Sequence, residues 1–271
     1  IKKTEDTFVI ELEKTKDILA SLGAEKKQQF LVGFALETQN EIENAKLKIQ
    51  KKNLNLIVLN SLNDKGAGFG GTTNKVTFID KDFNKDFTRH YSLLFQLEEQ
   101  QYAYAVYEKR TGKLQVLKSV QLNSASSGDI LTKLKNSVTS DDILQAPYHE
   151  VKVGLVASPF SFVPRVLFEE EKAAAYLKIT AETSQADVVH TNNVKGVFAK
   201  NIFSVDQSIH QYLHEVFDRP KLFHCVSGLI ETAIRVKDNF ADQQIVLDIK
   251  PGIMHIAYFE KRDFKFINQY R

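Results

Sequence analysis

The sequence predicts an α/β protein built as two successive units, and three observations carry that prediction. Short apolar strands alternate with amphipathic helices over residues 1–79, the rhythm of a parallel sheet. A charged run without periodicity, Asp80-Lys81-Asp82-Phe83-Asn84-Lys85-Asp86, follows it and reads as a linker. From residue 87 the pattern changes to a strand meander and then to a second round of strand–helix alternation.

In the first unit, Thr7–Glu13 alternates apolar and polar residues as a half-buried strand does. Asp17–Leu22 reads as a short helix with Asp17 near its start, and Phe30–Phe34 as a brief strand. Thr38–Lys52 is a helix with Ile42, Ala45 and Ile49 as its apolar stripe. Leu54–Leu59 is a buried strand, Gly66–Gly71 a glycine-rich loop, and Lys75–Ile79 a closing strand. The alternation is that of a partial, Rossmann-like parallel sheet.

In the second unit, Tyr91–Leu97, Gln101–Glu108 and Leu114–Val120 read as an antiparallel meander, with Arg110–Lys113 as a tight turn. Helices are predicted near 130–137, 169–177, 205–217 and 227–236. Strands are predicted at 151–157, near Val188 and Val197, and at 222–225, 245–249, 254–259 and 264–267. A meander followed by strand–helix alternation is a ribonuclease-H-like pattern with a mixed sheet. Phe160, Phe162, Val163 and Phe168 read as core.

Composition narrows the function. Of 271 residues, 36 are Lys or Arg and 34 Asp or Glu, a net charge of +2 that offers no basic excess for a nucleic-acid partner. Hydrophobic residues make up 43% of the chain, enough for a sizeable core. No uninterrupted apolar stretch has the length of a membrane span, so no membrane partner is expected. Cys225 is the only cysteine, which excludes an intrachain disulfide and fits a reducing, cytoplasmic location. The chain starts at Ile1 without an initiator methionine or signal-like apolar region, as a chain beginning inside something longer would.

Three segments of the first unit carry a resemblance: LVGFALET at 31–38, KLKIQKKNLNLIVL at 46–59 and GAGFGGTTN at 66–74. In this order and spacing they resemble the phosphopantothenoylcysteine synthetase half of the bifunctional coenzyme A biosynthesis proteins, a phosphopantothenate–cysteine ligase. The resemblance implies CTP with Mg²⁺ as the nucleotide bound. Activation passes through an acyl-cytidylate, and such charge must be neutralised in a preorganised site. It places the CTP contacts on Lys16, Asp17, Ile18 and Leu19 at the first helix, on Phe34, and on Lys48 and Lys52 of the next helix. Lys48 and Lys52 are four apart and share a helix face, and helix starts suit anions. A run of lysines on a helix is also, by itself, an ordinary solvated face that complements the helix dipole. Lys2 and Lys3 resemble the tail of the family's lid motif, whose first lysine would fall before Ile1. With that lysine and the family's N-terminal half of the site missing, no catalytic residue is assigned. That loss is also expected to bare an apolar sheet edge or face, which favours a homo-oligomer or packing against the second unit.

The second unit, 87–271, carries a different resemblance on its meander and on Phe160–Pro164, Leu167–Glu170, Tyr176-Leu177 and Phe223-His224. It is similar to an uncharacterised bacterial family, found chiefly in Bacteroidetes, with an actin-like ATPase fold. It implies a second subdomain that Arg271 cuts short, so the chain reads as a fragment with a C-terminally incomplete actin-like domain. Such ATPases grip phosphates between two hairpins, the first typically Asp-x-Gly followed by Ser/Thr. Here the first hairpin is Gln96-Leu97-Glu98-Glu99-Gln100-Gln101, without that aspartate or any glycine. A non-catalytic scaffold with a protein partner is the alternative function that this favours. His210 and His214 stand at i, i+4 without the HExxH glutamate or a third ligand, and read as surface histidines, with no metal site expected. Cys225 reads as an inert thiol in a buried strand and Ser227-Gly228 as a helix cap. The two units are expected to form separate sheets.

Overall fold

The computed structural model describes residues 12–62, 76–122, 129–156, 158–180, 184 and 186–271. The predicted loop at Gly66–Gly71, Lys2 and Lys3, and most of the predicted strand Thr7–Glu13 lie outside them; Leu12 and Glu13 are described and lie outside any strand.

The first helix, α1 (Ile18–Glu25), starts at the N-cap Asp17, and β1 (Val32–Glu37) follows. Next comes α2 (Glu41–Lys51), with Glu41 and Glu43 in its first turn and Lys48 and Lys51 in its last, the order that suits the helix dipole. It begins three residues later than the apolar stripe predicts, because Asn40 takes a left-handed backbone (φ 47°) just before it. Ala45 and Ile49, one turn apart, are its buried face. β2 (Leu56–Ser61) runs parallel to β1, as a β–α–β unit requires. β3 (Thr77–Asp80) then runs antiparallel to β2, so only β1 and β2 make up the parallel part.

The meander is β4 (Tyr91–Leu97), β5 (Gln101–Glu108) and β6 (Lys113–Gln121), with Gly112 at φ 68° in the turn before β6. Helix α3 (Ile130–Thr139) is capped by Asp129, whose carboxylate accepts from the Thr132 N–H at 2.8 Å. β7 (Glu150–Leu155) returns parallel to β4, and β11 (Lys221–His224) lies parallel to β7. Between those two strands in sequence come β8 (Phe160–Pro164), α4 (Ala173–Thr180), β9 (Asp187–Asn193), β10 (Ala199–Asp206) and α5 (Gln207–Val216). After β11 come α6 (Cys225–Arg235), β12 (Gln243–Lys250), β13 (Ile253–Glu260) and β14 (Asp263–Tyr270). The structure is therefore α/β with a mixed principal sheet, as predicted.

One expectation is overturned. The predicted units do not form separate sheets: a single eight-stranded sheet runs β1-β2-β3-β6-β5-β4-β7-β11. The join is β3 against β6, with Phe78 opposite Leu117 and Ile79 opposite Val116. The run 80–86 is not a free linker either. Asp80 ends β3, and Phe83 is buried, with its ring 6.0 Å from that of Tyr91 and Lys46 Nζ 4.8 Å over its face. One phenylalanine in a charged run is an anchor that composition conceals. Among the described residues there are two smaller sheets, β8-β10-β9 and β12-β13-β14.

Helices α2, α3 and α5 all cover one face of the principal sheet. Their buried residues Ala45, Ile49, Leu134, Val138, Tyr212 and Leu213 pack with Ile57, Ile79, Tyr102, Tyr104, Leu93, Phe95 and Val116. Strand alternation sends the neighbouring residues to the other face. None of the helices in the described residues is long and apolar enough to cross a membrane.

Candidate functional site

At the start of α1, one carboxylate oxygen of Asp17 accepts from the Ala20 N–H at 3.0 Å, and the other lies 3.0 Å from Lys52 Nζ. The Ala20 N–H, and after it Lys52, hold this carboxyl below its ordinary range. Close backbone packing keeps the pair together. A Cβ on Gly23 would come within 2.0 Å of the Lys52 carbonyl oxygen, so only glycine lets α1 lie against the end of α2. Asn53, at φ 49°, donates from its amide to the Gly23 carbonyl at 3.0 Å and closes the contact.

One turn earlier on α2, Lys48 pairs with Glu37, which also accepts from Asn44 at 3.1 Å. The structure thus joins Lys52 to Asp17, the chain neighbour of Lys16, Ile18 and Leu19, and places Lys48 one turn away on α2. It does not gather Phe34. Ala35 and Glu37 face α2, so Phe34, 80% exposed, projects from the opposite face of the sheet. Donor chemistry at the α1–α2 junction suits phosphates, although both lysines already have carboxylate partners. The Phe34 ring, expected as a CTP contact, does not converge with them.

The second predicted feature is the β4–β5 hairpin. Glu98 at its tip accepts from Gln96 at 2.6 Å and Gln101 at 2.5 Å, and meets Lys250, beside the β12–β13 turn, at 3.4 Å. Glu99 meets Arg271 at 3.1 Å. The space between the hairpin and that turn is about 40 Å³. Phosphate-gripping hairpins need glycine and room; the β4–β5 tip has no glycine and is tied to Lys250 by an ion pair, whereas the β12–β13 turn has Gly252 at φ 77°.

Histidines 210 and 214 lie side by side on α5 with ring centres 4.5 Å apart, and His190 of β9 brings a third ring to 5.1 Å from His210. Burial, then the neighbouring histidines, push His190 down to about 4. Among the described residues no group of three or more His, Cys, Asp or Glu is arranged to hold a metal ion. Cys225 is not in a strand but opens α6, and burial pushes its thiol up to about 12. The cap of α6 is His224, whose Nδ1 accepts from the Val226 N–H at 3.3 Å. Ser227 does not cap; its hydroxyl accepts from Asn201 at 2.9 Å.

Sequence reasoning missed a buried network between β5, β6 and α3. Asp141 accepts from Lys118 at 2.9 Å, from Tyr104 at 3.0 and 3.2 Å and from the Ile143 N–H at 3.0 Å. Lys118 and Asp141 line a cavity of about 360 Å³ with Glu41, Thr77, Tyr102 and Ser137. One signal was present: Lys118 occupies an inward position between Val116 and Val120 of an alternating strand.

These two regions have different relatives. The model of the DNA/pantothenate metabolism flavoprotein C-terminal domain matches residues 1–93. A cysteine/cysteine sulfinic acid decarboxylase from an unknown prokaryotic organism is 58% identical over 87 residues, which are 32% of this chain and 24% of that protein. The coenzyme A biosynthesis bifunctional protein CoaBC of Bacillus subtilis is 49% identical over 85 residues, 31% of this chain and 21% of the other. The chain thus spans less than a quarter of the length of these curated relatives. A Bacteroides thetaiotaomicron protein of unknown function with an actin-like ATPase fold superposes with a TM-score of 0.65 at 20% identity, over 69% of this chain and 72% of that one. The first ~90 residues are accordingly related to the C-terminal domain of CoaBC, and the rest has the actin-like fold. The model described as protein of unknown function (DUF3822) matches residues 80–271, well over half of the chain, and the chain belongs to that family.

Proposed function

We propose that this chain binds CTP with Mg²⁺ at the junction of α1 and α2 without completing ligase chemistry. The observation that carries the reading is the 3.0 Å approach of Lys52 to Asp17 at the start of α1, with Lys48 one turn away. A triphosphate placed there would exchange one carboxylate partner of each lysine for phosphate oxygens, and the exposed Ile18 end of α1 would add the positive end of a helix. CTP and Mg²⁺ belong to the ligase that the first 79 residues resemble, and high identity over 85 residues to CoaBC supports the transfer. The exchange sets the affinity low, because each lysine gives up an existing ion pair. Calorimetry of the full chain with CTP and Mg²⁺ tests it. Binding in the millimolar range that Lys52→Ala abolishes is expected. No heat at millimolar CTP, or unchanged heat in the variant, would refute it, and steady pyrophosphate release with phosphopantothenate and cysteine would refute the lack of turnover.

A second reading, a non-catalytic interaction role for the actin-like part, is supported by the Glu98–Lys250 pair and by the absence of glycine from the β4–β5 tip. A ligand that binds only the folded state raises the melting temperature by mass action. No shift with Mg²⁺–ATP is expected, and a clear Mg²⁺-dependent rise would overturn this reading.

A further inference from the structure

The face of the principal sheet opposite α2, α3 and α5 carries an apolar row that crosses six strands. By register, Phe34 of β1 lies beside Val58, then Phe78, Leu117, Ala105 and finally Leu94 of β4. Phe78, Leu117 and Leu94 are 36–40% exposed. Val32, Leu36 and Leu114 widen the row, and they too are exposed. On the far strands the same face turns ionic: Lys152 and Lys221 pair with Glu150. At the near margin Lys113 pairs with Asp80 and Asp82. An apolar centre bordered by paired charges has the anatomy of a protein–protein interface.

We propose that this face is a homodimer interface, with two copies packed sheet against sheet. Size is the argument for a second copy. Six strands about 4.8 Å apart and about 20 Å long present roughly 500 Å² on each copy, or about 1,000 Å² for a pair, the threshold for a specific interface. A flat, twisted sheet face is matched in shape by another of the same twist, and aligned sheet packing buries both at about 10 Å separation. The row also depends on the β3–β6 join. Phe34, Val58 and Phe78 come from the part related to CoaBC, and Leu117, Ala105 and Leu94 from the actin-like part. Neither part alone has the complete surface.

Sedimentation equilibrium of the full chain at micromolar concentration tests the proposal, with Leu117→Glu and Leu94→Glu as separate variants. A dimer is expected for the natural chain. Each glutamate would enter the interface unpaired and weaken association by about a hundredfold or more, with an unchanged circular dichroism spectrum. A natural chain that stays monomeric overturns the proposal. Dimers that persist in both variants overturn it as well. If both variants fail to fold, the melting temperature of the natural chain decides: a rise with protein concentration supports the dimer, and no rise overturns it.

Discussion

Two ion pairs on the same covered face of one sheet show opposite uses of charge. Lys48 and Glu37 meet at the α2 surface, where the lysine side chain is 41% exposed and the glutamate 11%. Lys118 and Asp141 meet just past the end of α3, where the aspartate side chain is 6% exposed and also holds Tyr104 and a backbone N–H. Exposed charges exchange partners cheaply with water or a ligand, whereas buried ones are costly to separate once paired. The first pair is thus available to a ligand and the second is committed to the fold, although residue types alone make them look alike.

The largest expected effect comes from breaking the buried member. Asp141→Ala leaves Lys118 and Tyr104 without their carboxylate, and a loss of about 3–5 kcal/mol in urea unfolding is expected. A loss below about 1 kcal/mol would place Asp141 with the surface pairs. Next is Gly23→Ala, whose methyl group must displace the Lys52 carbonyl and push α1 off the end of α2. About 1–3 kcal/mol is expected, as for other overpacked sites, together with weaker CTP binding. Retained binding would separate the ligand site from that contact.

A pH effect follows from His224, which extends the contrast to a third region. Burial holds His224 down to about 3 against an ordinary 6.5. Between these values the unfolded chain binds a proton that the folded chain does not, so the stability from neutral His224 is complete above pH 6.5 and is lost as pH falls toward 3. His190, down to about 4, acts in the same direction. Urea midpoints should fall from pH 7 to 4.5, with a shallower fall in His224→Asn, which keeps a cap acceptor. An unchanged fall would exclude His224 as the source. The smallest effect belongs to the exposed lysine: Lys48→Ala, which leaves Glu37 its hydrogen bond from Asn44, should change unfolding stability by no more than about 1 kcal/mol while weakening CTP binding.

The sequence was most informative where local pattern and local chemistry coincide. Alternation located the three meander strands nearly to the residue, since period two records which face is buried. The apolar stripe located α2, and the segments around it located the region related to CoaBC. Boundaries failed where a single backbone choice intervened, as at Asn40 before α2 and at His224, which caps α6 where a serine was expected. Of the candidate site, the proximity of Lys16–Leu19 to Lys52 was legible only through resemblance. The separation of Phe34 from Lys48 was legible in principle, because odd and even positions of a strand face apart.

By itself the sequence determined the α/β class, the identity of most strands and helices, and the absence of glycine from the β4–β5 hairpin. These depend on residues within a few positions of one another. Tertiary structure alone decided that β3 would pair with β6 and fuse two units into one sheet, and that Phe83 would anchor a charged run. It also decided that Asp141, just past the end of α3, would be buried while Lys48, the partner of Glu37, stayed near water. Each is set by partners distant in sequence: a strand edge presents the same unpaired N–H and C=O groups whichever neighbour it will meet, and only the assembled chain selects that neighbour.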